Sequence, residues 1–591
     1  MKQAIPLLIL SWGIPISTAL GQTGRKARTF CNPINIDYRF SRGEPIRREA
    51  ADPVIVLYKG DYYLFASKSG GYWYSGDMRD WTFVEPQGLP IENYAPAVMV
   101  SGDTLYYMAG MTAIYSTDHP KRGAWREVSK PGDVGDPDLF RDDDGRVYLY
   151  HGCSHDGPIE GMELDPANEL RVLGKPFVCL YGDYAHRGWE RIGDDNLGAM
   201  RSGKHEDAPW IEGPWMTKHA GTYYLQYAAP GTEFKTYADG VFTSKSPRGP
   251  FTYAPYNPFS FKPRGFITGA GHSCTFQDKQ GRYWHVVTMG ITDKHAFERR
   301  LGLFPAGFDK DGQLHANTYL GDYPQFFPGE AKDPENANLA NWMPLSYRKT
   351  GQASSTLGRY SAQNAVDEDV KTYWSAQTAD PGEWLMIDLA KRCKIQAIQT
   401  NFAEHASTAL GRKQPLFHQY VIEISNDGRQ WSILIDKSKN RRDVPHDYVE
   451  LAAPSMARFV RLTNVRFPGG GPFSVRELRV FGSALGPKPG RVSHFEVTRD
   501  ENDERNARVA WRGAKDATGY VVRYGIAPAK LYNNYQVLDG TSVDIHSLDA
   551  GQDYYFTVDA FNDSGITRGT VATATRSRRI PAKPASLTTV H

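Results

Sequence analysis

An all-β chain is expected from three features of the sequence. Aromatic residues make up 13% of it, with 57 Gly and 34 Tyr, a composition that suits short strands joined by tight turns. A unit of about 40 residues recurs five times between residues 36 and 328, the period of a four-stranded propeller blade. Past residue 345 the strand-forming composition resumes in two further segments. At 591 residues the chain is too long for one core, and about three domains are expected.

Each unit has a short apolar strand, a turn, a Tyr-rich strand and then more polar strands. Unit one is ADPVIV from Ala51, then KGDYYLFAS. Unit two is APAVMV from Ala95, then SGDTLYYMAG. Unit three is DPDLF from Asp136, then DDDGRVYLYHG. Unit four is EGPW from Glu212, then KHAGTYYLQYA. Unit five is GHSCTF from Gly271, then DKQGRYWHVVT. The long gap between units three and four places an insertion at about 155–205, carrying HRGWERIGDDN, which reads as a loop over the propeller face with Asp194, Asp195 and Asn196 solvated on it.

A propeller makes a chemical prediction. Its first strands line the central channel, so Asp52, Ala95, Asp136, Glu212 and His272 are expected to ring one mouth. Three carboxylates and an imidazole crowded together are costly unless used, and like charges lift at least one pKa, which suits an acid–base pair. Glu212 lies between Trp210 and Trp215 in WIEGPW, where desolvation by the indoles is expected to favour its protonated form. Trp73, Tyr94 and Trp189 are candidate pocket walls. Arg299 or Arg300 in FERRLGLFP is a candidate for reaching substrate hydroxyls.

These motifs, with GDPDLFRDDDGRVYLYHG and WIEGPWMTKHAGTYYLQYA, resemble glycoside hydrolase family 43, a five-bladed propeller family, across residues 45–325. The resemblance implies Asp52 as general base, Asp136 as modulator of the acid's pKa and Glu212 as general acid. It makes His272 a possible neighbour of a channel cation, although Gly-His-Ser stands where the family commonly has Gly-His-Gly. Inversion with a water between the carboxylates is implied. The approach EAADP to Asp52 differs from the Trp-Met-Asn-Asp-Pro-Asn setting of retaining sucrose-cleaving relatives.

Residues 346–484 carry ASSTLGRYSAQNAVDEDVKTYWSA and FSVRELRVFG and resemble a discoidin, or coagulation factor 5/8 C-type, jelly roll, a fold shared with carbohydrate-binding module family 32. That resemblance implies a structural calcium site at Asp367, Asp369, Thr372 and Glu477, where oxygen donors suit a hard cation. Residues 485–580 resemble an immunoglobulin-like fibronectin type III sandwich through Trp511, the strand at Tyr520 to Tyr524, and the corner residues Leu548, Gly551 and Tyr554. It reads as a spacer. Residues 329–345 read as a linker and 581–591 as a disordered tail.

The N-terminal 21 residues read as a signal peptide: Lys2, an apolar run, and Ala19-Leu20-Gly21 as a small-x-small cleavage site. The apolar run is too short and proline-broken to span a membrane. A secreted or periplasmic product, without membrane insertion, is expected. A net charge of +2 on 591 residues favours no nucleic acid partner. The five cysteines make no metal spacing; Cys153 with Cys179 is a possible bridge, buried free thiols an equal alternative. The expectation is a monomeric, exo-acting, inverting glycoside hydrolase on oligo- or polysaccharide, with no catalytic cofactor. An α-L-arabinofuranosidase comes first, then a β-D-galactofuranosidase, β-xylosidase or β-galactosidase. A non-catalytic glycan-binding protein is the competing class.

Overall fold

The computed structural model describes residues 26–41, 47–198, 207–331, 338–407, 416–570 and 573–577. The segment read as a signal peptide and the tail lie outside them. Among the described residues the chain is all-β, with only three short 3-10 turns.

Five antiparallel meanders follow one another, each of four strands, with the fourth widened to six by Cys153–Ser154 and Ser260–Phe261. Blade 1 runs Val54–Tyr58, Asp61–Phe65, Tyr72–Ser75 and Thr82–Val84. Blade 2 begins at Ala97–Ser101, blade 3 at Asp138–Arg141, blade 4 at Ile211–His219 and blade 5 at Thr268–Gln277. The inner strands touch in a ring, each on the next and the fifth back on the first. The blade seams are apolar. Tyr63, Leu64, Tyr107, Val286 and Leu301 join blades 1, 2 and 5, and Met99, Leu139 and Leu149 join blades 2 and 3. This is the radial repetition of a propeller, which leaves only short, protected sheet edges.

Two differences from the sequence reading come from blade 3. Ile159–Asp165 and Arg171–Leu180 are its outer strands, so the excursion begins only after Leu180. The described residues of the excursion meet the blade 4 loop where Lys235 N donates to Asp194 Oδ1 and Thr236 Oγ1 to Gly193 O. It docks on the third domain: Gly188 N donates to Leu548 O, Ala550 N to His186 O, and Arg505 to Tyr184 O. Asn196 is fully buried there, its amide capping Trp189 O and Arg191 O.

The second domain is a β-sandwich built on two long bulged strands, Trp384–Phe402 and His446–Arg466, flanked by Ser474–Ala484 and Gln419–Ser425. Met343–Pro344, inside the stretch read as a linker, pairs with Phe481 and Gly482 at its edge. The third domain is a second two-sheet sandwich, with Ala507–Trp511 and Ser542–Ile545 in one sheet and Gly519–Gly525, Asn533–Val537 and Tyr554–Asn562 in the other. It is not a free spacer. Its core residues Val522, Leu548 and Tyr554 form one apolar cluster with Trp189, Tyr227 and Phe261 of the propeller.

Candidate active site

The backbone turns the same way at one position of each blade, just before the inner strand in blades 1 to 3 and within it in blades 4 and 5. Asp52, Ala95, Asp136 and His272 all have left-handed φ, between 41° and 52°. L-residues avoid that region, so the repetition marks a conformation imposed by the propeller, with strain of the kind held at functional sites. In blade 4 the left-handed residue is Gly213, at φ 60°. The equivalence of Glu212 with Asp52 is therefore off by one. A Cβ on Gly213 would stand 2.7 Å from the His272 ring, so blade 4 cannot carry a side chain at that position, and its carboxylate comes from the preceding residue.

Asp52 is buried, with donors on both oxygens. Ser67 Oγ donates to Oδ2 at 2.5 Å, Arg299 to Oδ1 at 3.1 Å and Thr288 Oγ1 to Oδ1 at 3.4 Å. Burial pushes its carboxyl up, but Arg299, then His272, and then the two hydroxyls outweigh burial and hold it below the usual carboxylate range. Arg299 is itself anchored by Glu49 at 2.6 Å. It therefore grips the carboxylate rather than standing free to reach sugar hydroxyls. Arg300 turns away and donates to His446 of the second domain.

Across the mouth, Tyr237 OH donates to Glu212 Oε1 at 2.5 Å, and Cys153 Sγ lies 3.3 Å from Oε2. Cys153 is the cross-strand partner of Glu212, which puts both side chains on one face. Ligand atoms of Asp136, Cys153 and Glu212 all lie within 4.8 Å of one another. Burial, followed by the charges of Glu212 and Asp52, pushes Asp136 well above the ordinary carboxylate range despite the opposing pull of His272. His272 Nδ1 sits 3.4 Å from Asp52 and 3.7 Å from Asp136. Burial disfavours its charge, but Asp52 and Asp136, then Glu212 and Asp239, raise its pKa. The imidazole sits between the two carboxylates, which favour its charged form. Thus the structure brings Asp52, Asp136, Glu212 and His272 together.

The aromatic walls fare less well. Trp73 and Trp189 are fully buried: Trp73 donates to Asp37 Oδ1 and packs on Phe83, and Trp189 donates to Tyr253 OH. Both serve packing. Tyr94 is half-buried beside Arg299 and Phe297 and remains at the mouth. Trp215 donates to Thr275 O in the seam toward blade 5, whereas Trp210 stacks on His155 next to Glu212. Sequence reasoning missed Ser67, Thr288, Cys153, Glu49 and Tyr237. Ser67 and Thr288 end or follow the second strands of blades 1 and 5, and Cys153 follows that of blade 3. Aligning that position across the repeats would have found Ser67 and Thr288; its blade 3 equivalent is Gly152, whose N donates to Gly135 O as Ser67 N does to Ala51 O, and Cys153 is one residue further on. The five thiols are all free, and Cys153 is exposed rather than buried.

In the second domain, Thr372 Oγ1 donates to both oxygens of Asp367, and Asp369 N to Asp367 Oδ1. Glu477 accepts from Glu368 N on one oxygen, while its buried Oε2 has no partner. Burial, with some repulsion from neighbouring acids, pushes Asp367 up to about 6 and Glu477 well above its usual value. An orphaned buried carboxylate oxygen and oxygen donors on a tight loop fit a hard divalent cation.

Replacing Gly213 by Ala is expected to destabilise the chain by about 1–2 kcal/mol for the left-handed backbone alone, and to displace the His272 ring. A denaturant midpoint and the ring's NMR resonances measure this; an unchanged midpoint with unmoved resonances contradicts the packing.

Residues 43–314 match the model of glycosyl hydrolases family 43, and residues 350–478 that of the F5/8 type C domain. A xylan 1,3-β-xylosidase from Vibrio sp is 25% identical over 383 residues, 56% of this chain and 65% of its own length. The β-D-galactofuranosidase xynD of Aspergillus niger is 27% identical, covering 42% of this chain and 77% of its own. An arabinoxylan arabinofuranohydrolase from Bacillus subtilis is 27% identical, covering 34% and 48%. The chain thus spans less than two thirds of the length of the first and third of these relatives. Family match and propeller coincide, so residues 43–314 form a glycosyl hydrolase family 43 domain, joined to an F5/8 type C domain at residues 350–478.

Proposed function

We propose that the chain is an exo-acting, inverting glycoside hydrolase that removes terminal furanosyl or pentosyl residues from polysaccharide, with α-L-arabinofuranosides first among its substrates. The observation that carries this reading is the asymmetry of the carboxylates at one mouth. Asp52 is gripped by Arg299 and two hydroxyls and kept ionised, while Asp136, next to Glu212, is pushed toward its protonated form. Environments that drive carboxyl groups apart in this way assign a base and an acid side.

In this reading Asp52 takes a proton from the attacking water as that water adds to the anomeric carbon. Glu212 gives its proton to the departing oxygen, so the glycosidic bond breaks as the new C–O bond forms. Tyr237 holds Glu212 Oε1. Asp136 stands beside Glu212 and helps orient it, and His272, between Asp136 and Asp52, limits their repulsion. Tyr94 flanks the sugar. Relatives named for xylosides, galactofuranosides and arabinoxylan support a terminal pentose or furanose. The third domain is read as fibronectin type III, supported by Tyr554, whose hydroxyl accepts from Asp549 N as in a tyrosine corner. Asp367, Asp369, Thr372 and Glu477 would hold a structural Ca²⁺ with no part in the chemistry.

A panel of nitrophenyl glycosides tests the reading: α-L-arabinofuranoside, β-D-galactofuranoside, β-D-xyloside and β-D-galactopyranoside. One substrate is expected to turn over, and Glu212→Gln to lower kcat/KM by about 10²–10⁴-fold while leaving the fold intact. Glycan binding without turnover of any glycoside, identical in the variant, would sink the hydrolase. For the calcium site, added Ca²⁺ is expected to raise the unfolding temperature by ligand linkage, and Glu477→Gln to abolish the rise. Equal unfolding temperatures with Ca²⁺ and with chelator would remove the site.

A further inference from the structure

Arg48 and Glu49 are neighbours on the short strand Arg48–Glu49, and successive side chains of a strand point to opposite faces. Glu49 turns toward the mouth and anchors Arg299, which grips Asp52. Arg48 turns the other way, into the second domain. The same alternation repeats at Arg299–Phe308: Arg299 faces the mouth, while Arg300 donates to His446 of the second domain and back to Arg48 O.

The anchor of Arg48 is built for it. Its guanidinium donates to both oxygens of Glu404, at 2.8 Å from Nε and 2.5 Å from Nη2, and to both oxygens of Asp443, at 2.9 and 2.8 Å. Arg48 is 1% exposed and the Glu404 side chain 7%. Glu404 sits at φ 55°, a left-handed conformation costly for Glu. Its backbone oxygen also accepts from Lys294 Nζ. The forked, two-point guanidinium–carboxylate contact fixes direction as well as charge. A strand held this tightly on one face has little freedom on the other.

We propose that Glu404 of the F5/8 type C domain is a positioning residue for the active site. Through Arg48 it fixes the strand whose next residue, Glu49, sets Arg299 against Asp52. The second domain is thereby a brace of the catalytic base. This inference rests on the hydrolase reading above for its kinetic consequence, but not for its structural one.

The test compares Glu404→Gln with Glu450→Gln in the full chain. Glu450 is also an interface residue, accepting from Arg28 N and Thr29 N, but it does not touch Arg48, and it controls for general loosening of the interface. Hydrogen exchange of residues 47–53 and 299–303 is read by mass spectrometry, and kinetics on the best aryl glycoside by kcat, KM and pH profile. Glu404→Gln is expected to speed exchange in both segments and to lower kcat about tenfold with little change in KM, as a misplaced catalytic group does. The acid limb of the profile should move to higher pH: weakening the Arg299 contact raises the pKa of Asp52, so the base is lost at a less acidic pH. Glu450→Gln should show none of these. Unchanged exchange at 47–53 in Glu404→Gln overturns the brace whether or not any glycoside is cleaved. Faster exchange with wild-type kcat and acid limb overturns the positioning role and leaves a structural contact. Absence of turnover in the wild type would sink the hydrolase reading alone, with exchange still deciding the brace.

Discussion

One buried guanidinium organises the mouth of the propeller. Arg299 is 4% exposed and bonds Glu49 on one side and Asp52 on the other. A charge taken out of water is tolerated only when it is paired and hydrogen-bonded, and here pairing serves both sides. Glu49 is neutralised by Arg299 and Arg47, and Asp52 by Arg299 and His272. Removing Arg299 would take the shared partner from both buried carboxylates, leaving Glu49 to Arg47 and Asp52 to His272 and the hydroxyls of Ser67 and Thr288.

The acid side is built on the opposite principle. Among the described residues no guanidinium bonds Glu212 or Asp136; their neighbours are a phenol, a thiol and one imidazole placed nearer the base. Burial and the neighbouring charges push Asp136 toward its protonated form there. The propeller makes the two regimes possible in one mouth because each blade contributes one residue from the same backbone turn. The left-handed kinks at Asp52, Asp136 and His272 aim three side chains of different chemistry inward without disturbing the blades behind them. Blade 4 breaks the pattern with Gly213, and that exception admits the His272 ring.

Much of this was legible in the sequence, for physical reasons. Strand alternation and turn residues repeat, so the blades and the carboxylates at their heads could be read as a period. Packing does not repeat. Trp73 and Trp189 read as pocket walls because a tryptophan next to a polar turn looks the same whether it faces a sugar or a core. Only tertiary contacts place one on Phe83 and the other beneath the third domain. The role of Arg299 was hidden likewise: its partners Glu49 and Asp52 lie about 250 residues away in sequence. The one-residue offset at Glu212 was masked because Glu-Gly-Pro resembles a lengthened Asp-Pro, and only the bulged register between Glu212 and Trp215 separates them.

The central claim is that Asp52 serves water rather than the sugar, and stereochemistry tests it most directly. Proton NMR of the first-formed product, followed before mutarotation on a cleaved glycoside, reads the anomeric configuration. Inversion is the predicted result, because a base-activated water attacks the face opposite the leaving group. Retention would mean a carboxylate bonded to the sugar, and would contradict the assignment of Asp52 as base.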